Sequence, residues 1–305
     1  MSFTSIVKNE VSKLELTKIE AIALLSSIIR NSEKTEELIR ITTENSSLAR
    51  TLFKQLKEIY SVIPKITVRK GYNYNKNYIY MLEINNNAKQ ILSSLGLYDN
   101  EILDVPKNYI IDDTDSIRTY LRGLFLINGS INDPKKSRYH LEFLVTTEKY
   151  AEFIVDLLNK FDLNSKYIKR DNKYMVYIKE AEKIGDFLRI INAFNAVLYY
   201  EDIRIYRDHK NMTNRLNNCE QANVDKIIMS ANKQVKDIEK IKRECGLDIL
   251  DEKVRIVAEY RLKYKEASLL ELSEIISMET KTSITKSGIN HRMKKIEEIA
   301  SKIKD

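Results

Sequence analysis

Lys286, Ser287, Asn290, His291 and Arg292 crowd hydrogen-bonding and cationic side chains into the start of one stretch, residues 285–300, and Lys294 and Lys295 follow them. The chemistry these side chains can do is recognition, not bond breaking. Asn and Arg present paired groups that match the edges of adenine and guanine, and lysine supplies a point charge for phosphate. Asn290 and Arg292 are therefore the candidates for base contacts, and Lys294 and Lys295 for the backbone. A second basic group, Arg204, Arg207 and Arg215, lies further back, with six more Lys and Arg residues between 226 and 243. Those charges fit phosphate neutralisation. They fit a solvated helix kept soluble by its lysines equally well. Acid–base catalysis finds no comparable constellation. Asp112-Asp113 and Glu201-Asp202 lack a His, Lys or further acid at helical distance, and His140, His209 and His291 share no ligand spacing. Lys286-Ser287-Gly288 has no upstream glycine at phosphate-loop spacing and follows no strand. No cofactor and no metal are expected.

Those side chains need a rigid support. Ile289, Met293, Ile296 and Ala300 recur at the three-and-four spacing of one helix face, which turns Ser287, Asn290, His291 and Lys294 outward. Thr285 is the expected N-cap. Taken alone, this is also the pattern of any solvated amphipathic helix. Two segments precede it: residues 250–263, with Val254, Val257, Ala258 and Leu262, and residues 269–276, with Leu269, Leu272, Ile275 and Ile276. Ser268 and Glu271 make a capping box at the start of the second. Long helix, short helix, brief turn and polar-fronted helix is the helix-turn-helix plan, whose last helix enters the major groove by its N-terminal end. The turn, residues 278–283, lacks the glycine often found there.

A length of 305 residues suggests more than one domain. The net charge of +7 favours a polyanionic partner, although many inert proteins are equally basic; with the helix-turn-helix plan, the expected partner is double-stranded DNA. Cys219 and Cys245 have neither metal-site nor disulfide-framework spacing. The N-terminal segment lacks the apolar core of a signal peptide, and no apolar run is long enough to span a bilayer. A cytoplasmic, nucleoid-associated protein with no membrane partner is the expectation.

The body of the chain is a repeat. Residues 41–44, Ile-Thr-Thr-Glu, recur as Val-Thr-Thr-Glu at 145–148. An amphipathic helix follows each copy (residues 46–60 and from Lys149), then two β-rich segments (65–70 and 77–84; 165–170 and 173–179), then a further helix (86–95 and 180–191). An apolar helix leads each copy, at 17–30 and 116–127. Each unit reads α-β-β-α-β-β-α, with the acidic stretch 109–115 as connector. The fold class is α+β, with an all-α C-terminal domain. The boundaries are 1–110 and 111–205 for the repeats, 206–246 for a basic helical linker ending at Gly246, and 247–305 for the helix-turn-helix domain. Tyr72, Tyr74, Tyr78 and Tyr80 could stack on bases, but alternation on a sheet face accounts for them as well.

The duplicated pattern resembles the LAGLIDADG homing endonuclease fold, in which two leading helices pack side by side and two sheets form a saddle over DNA. Leu121-Arg122-Gly123-Leu124-Phe125-Leu126-Ile127-Asn128-Gly129 carries the likeness. The family's metal-binding acid precedes the final glycine, where this chain has Asn128, and Leu126 holds the other acidic position. Aligning residues 21–29 with the first helix puts Ser26 and Ile28 in the corresponding places. None is ionisable, so the cutting site is missing. Residues 121–143, 174–205, 214–241 and 286–300 are similar to the WhiA family of bacterial regulators, which joins a degenerate LAGLIDADG-like domain to a C-terminal helix-turn-helix. That resemblance implies a sequence-specific DNA-binding protein acting in cell division and chromosome segregation, and in some lineages in sporulation, without enzymatic activity. Two other readings stay open: a residual endonuclease using another acid such as Asp133, or an N-terminal protein-interaction scaffold with DNA held only by the C-terminal domain.

Overall fold

In chain order the elements begin with a short helix α1 (Phe3–Val11), which buries Phe3, Val7 and Val11. The computed structural model describes residues 2–71 and 78–303. The first repeat follows as α2 (Lys18–Arg30), β1 (Glu33–Lys34), β2 (Ile39–Thr43), α3 (Ser46–Tyr60), β3 (Lys65–Lys70), β4 (Tyr78–Ile84) and α4 (Ala88–Ser94). A small hairpin, β5 (Tyr98–Asp99) and β6 (Glu101–Ile102), precedes the second repeat. This runs α5 (Thr114–Asn128), β7 (Gly129–Ile131), β8 (Leu141–Val145), α6 (Glu148–Asn159), β9 (Lys166–Arg170), β10 (Lys173–Ile178) and α7 (Ala181–Ile190). Both copies therefore have the expected α-β-β-α-β-β-α order. Their antiparallel sheets share one strand permutation, β1-β2-β4-β3 and β7-β8-β10-β9.

Helix ends are set by side chains. Thr17 and Glu20 form a capping box at α2, and Asn45 accepts the Ser47 and Leu48 amides at the start of α3. Asp113 does the same for α5, accepting the Ser116 amide at 2.8 Å, and that bond holds its carboxyl below the ordinary range. The expected connector is thus no loose linker. Its acidic residues start a helix, Ile110 is buried, and the Tyr109 hydroxyl donates to the Ser93 and Ser94 carbonyls.

The centre of this unit is the α2–α5 pair. Leu24, Leu25, Ile28 and Ile29 face Leu121, Leu124 and Phe125 in one core that takes in both repeats. Gly123 lets the backbones approach. A Cβ there would lie 2.9 Å from the Leu24 carbonyl oxygen and 2.9 Å from the Ser27 Cβ.

The remaining helices are α8 (Phe194–Glu244), α9 (Glu252–Lys263), α10 (Leu269–Thr280) and α11 (Lys286–Lys302). The chain divides into two compact units, Met1–Arg207 and Asp208–Asp305. In the second, Val254, Val257 and Ala258 of α9, Leu272 and Ile276 of α10, and Ile289, Met293, Ile296 and Ala300 of α11 close one core. Ile238 and Ile241 of α8 belong to it too, so part of the segment read as a linker packs into the helix-turn-helix core. Ser268 and Glu271 form the anticipated capping box. The turn without glycine is closed by Lys281, which takes the left-handed conformation (φ 54°) that glycine usually supplies.

Candidate nucleic-acid interface

Thr285 caps α11, its hydroxyl accepting the Gly288 amide at 3.2 Å, and the Ile289, Met293, Ile296 and Ala300 stripe is buried as the spacing required. That anchors the opposite face. Lys286, Ser287, Asn290, His291 and Lys294 are exposed, Arg292 is half-buried, and none of their side chains has a hydrogen bond or ion pair among the described residues. A row of unpartnered donors on a rigid helix is the geometry that groove recognition needs. Lys295 differs. Its ammonium is paired with Asp251, just before α9.

The three arginines further back are divided between the two units. Arg204 donates to Glu201 at 2.7 Å. Arg207 donates to the Pro134 and Ser137 carbonyls and lies over the Tyr139 ring, so it pins the β7–β8 loop. Both fall in the first unit and already hold protein partners. Arg215 is exposed in the second unit, beside Met212 and Leu216. Of the tyrosines, Tyr72 and Tyr74 lie outside the described residues. Tyr78 and Tyr80 share one face of β4, as alternation requires.

The helix-pair centre is packed. Ser26, Ile28 and Leu126 are buried, and the Ser26 hydroxyl donates to the Leu95 carbonyl. The alignment of the first helix needs correcting. Asn31, not Ile28, faces Asn128: the Asn128 Nδ2 donates to the Asn31 Oδ1 at 2.8 Å and to the Leu144 carbonyl at 2.8 Å. Asn31 in turn donates to the Ser27 carbonyl and to the Tyr150 hydroxyl. The β1–β2 turn is short, residues 35–38, whereas the β7–β8 loop runs from 132 to 140, so the two repeats differ in length just beyond their leading helices. Two asparagines closing the two leading helices were the available signal.

Two lysines complete the centre, and spacing offered no way to find them. Lys34 donates to the Arg30 carbonyl at 2.6 Å, and Lys8 of α1 reaches the Ile127 carbonyl at 3.5 Å. Each carbonyl precedes one of the paired asparagines. The cations thus stand where helix C-termini concentrate negative partial charge. Burial pushes the Lys8 ammonium down to about 8 against the pull of Glu44; burial, then the Arg30 charge, pushes Lys34 to about 8 against Asp104.

A pH dependence follows. Below about pH 8 both the folded and unfolded chains keep these protons, and the fold bears the cost of burying two cations. Between about 8 and the ordinary 10.5 only the unfolded chain stays protonated, so stability rises with pH. Above the ordinary tyrosine value of 10.0 the trend reverses, because burial holds Tyr120 and Tyr150 neutral while their unfolded counterparts ionise. Urea midpoints followed by tyrosine near-UV signal should climb through the first window and fall beyond it. Lys8→Met with Lys34→Met should flatten the climb, and a flat wild-type profile would contradict the assignment.

Among the described residues no group of three His, Cys, Asp or Glu is placed to hold a metal. His140 bonds Glu142 at 3.1 Å. Asp133, the candidate residual acid, accepts the Lys135 amide at 2.9 Å within the β7–β8 loop.

Comparison with known proteins covers the chain from end to end. Family models described as the WhiA N-terminal LAGLIDADG-like domain, the WhiA LAGLIDADG-like domain and the WhiA C-terminal HTH domain match residues 12–98, 117–210 and 213–300. A probable cell division protein WhiA of Staphylococcus haemolyticus is 42% identical over 311 aligned positions, covering 100% of this chain and 98% of the relative. Its counterpart in Staphylococcus aureus is 39% identical over the same coverage. The crystal structure of full-length WhiA from Thermatoga maritima superposes with a TM-score of 0.58 at 26% identity, covering 100% of both chains.

Proposed function

The chain belongs to the WhiA family, and on that premise we propose that it is a sequence-specific binder of double-stranded DNA that regulates transcription in cell division. Chromosome segregation, and sporulation where the lineage has it, belong to the same proposal. So does a cytoplasmic, nucleoid-associated location. The observation that carries the reading is the front of α11: exposed Lys286, Ser287, Asn290 and His291, without side-chain partners among the described residues, on a helix whose back is locked into the core. Its N-terminal turn enters the major groove, where Asn290 and Arg292 read base edges and Lys294 meets phosphate. The N-terminal unit acts as a scaffold, open to a protein partner, and not as a nuclease. A hard divalent cation needs carboxylate oxygens, and the paired helix ends offer Asn31 and Asn128.

Selection of bound fragments from a genomic library by the full chain, with EDTA present, tests this. One enriched motif is expected, with affinity unchanged by the chelator, and supercoiled plasmid should survive incubation with Mg²⁺. Nicking that disappears in Asp133→Ala would reverse the reading. Retention of fragments without an enriched motif would reduce it to non-specific binding.

A further inference from the structure

Residues of four helices of the second unit line a half-open cavity of about 350 Å³. Lys226, Ser230 and Gln234 of α8 line one side, Arg261 of α9 and the N-cap residue Ser268 of α10 another, and Lys286, the first residue of α11, a third. No carboxylate lines it. Glu271, the acid of the neighbouring capping box, is committed to the Ser268 amide at 2.7 Å.

Two polar groups in this wall lack partners among the described residues. Arg261 is 1% exposed; its Nη1 donates to the Tyr264 and Ala267 carbonyls, but its Nε is buried without an acceptor. The Gln234 Oε1 is buried and unpaired, while its Nε2 lies 3.3 Å from the Ser230 hydroxyl. Turning that amide end for end gives Ser230 an acceptor and directs a donor inward. A guanidinium removed from water with no counter-ion is costly, and burial lowers its proton affinity accordingly. The N-terminus of α10 adds positive partial charge on the same side. Every one of these features favours an anion.

We propose that this cavity is a phosphate-binding notch, which takes one backbone phosphodiester of duplex DNA beside the groove that α11 enters. The source of the phosphate rests on the DNA-binding reading above; a free phosphate group would be recognised by the same chemistry. Lys226 and Lys286 flank the opening, the turned Gln234 amide donates to a phosphate oxygen while Ser230 holds that amide in place, and Arg261 supplies the charge behind them. The long helix is thereby part of the DNA-binding surface, and Lys286 serves the backbone and not the bases.

The test uses the full chain with Lys226→Gln and, separately, Gln234→Glu, which places a carboxylate in the notch. In the first arm, inorganic phosphate should raise the melting temperature above that in chloride at equal ionic strength, and both variants should lose that increment. In the second arm, the slope of log affinity against log salt for the enriched duplex should fall by about one in Lys226→Gln, with the preferred sequence unchanged. Phosphate protection with an unchanged slope would overturn the DNA assignment and leave a site for free phosphate. Neither effect would overturn the notch. If the wild-type chain binds no duplex, the DNA reading fails, and the phosphate arm still decides the notch.

Discussion

Gly123→Val should destabilise the N-terminal unit by about 3 kcal/mol, the upper end of overpacking penalties. The size follows from what the new atoms would meet. A Cβ on residue 123 would sit 2.9 Å from the Leu24 carbonyl oxygen, which is backbone and cannot swing aside like a side-chain tip. Relief requires α2 and α5 to separate, and their contact buries Leu24, Leu25, Ile28, Leu121 and Leu124. The gain in helix propensity over glycine, about 1 kcal/mol at most, is too small to compensate. Gly288→Ala supplies the opposite case. Its added Cβ would meet only Ile284 and Thr285 side-chain atoms at 3.5 Å, so the reduced freedom of the unfolded chain should stabilise the protein by up to about 1 kcal/mol. Urea unfolding of both variants checks the pair. A wild-type midpoint in Gly123→Val would mean that the helices are not held at this distance in solution.

Arg292→Ala should weaken binding to the specific duplex by roughly 1–3 kcal/mol, about fivefold to 150-fold, with little change in melting temperature. Arg292 is half-buried beside the Ile289–Met293–Ile296 stripe but is not part of it, and its guanidinium holds no partner among the described residues. Alanine therefore removes a planar fork of donors and leaves the core intact. Lysine restores charge without the fork, so Arg292→Lys should recover non-specific affinity and not discrimination. Titrations against the specific duplex and a scrambled one separate the two quantities. Unchanged affinity in a folded Arg292→Ala protein would show that α11 does not read DNA.

How much of this was legible in the sequence depended on whether the determinants are local. The helix at Ser46–Tyr60, the strand at Lys65–Lys70, the Thr285 cap and the Ser268–Glu271 box came out at the residues expected, because apolar periodicity and capping chemistry act within a turn or two. The duplication was legible because Thr-Thr-Glu marks the same strand-to-helix junction twice. Contacts made across the fold were not. Nothing near Lys8 in the chain indicates that its ammonium meets the Ile127 carbonyl. Nothing near Arg261 indicates a guanidinium sealed in a core, since arginine in an amphipathic helix normally reads as solvent-facing. Arg207 shows the converse: a basic stretch suggested phosphate, and what the spacing could not show is that its guanidinium donates to two carbonyls of a loop in the preceding repeat.

The bond between Asn128 and Asn31 makes the duplicated halves unequal. The Asn128 amide donates a hydrogen bond to the Asn31 oxygen, and the Asn31 amide donates one to the Tyr150 hydroxyl. Tyr150 stands two residues beyond the Glu of its Thr-Thr-Glu repeat, where the first repeat carries Ser46. The halves have become complementary and are no longer interchangeable. A chain made of two first repeats would lack the phenol that Asn31 bonds, and one made of two second repeats would bury two tyrosines where one is accommodated. A homodimer of either repeat would have to satisfy these groups in another way, so the two halves are unequal partners at this contact.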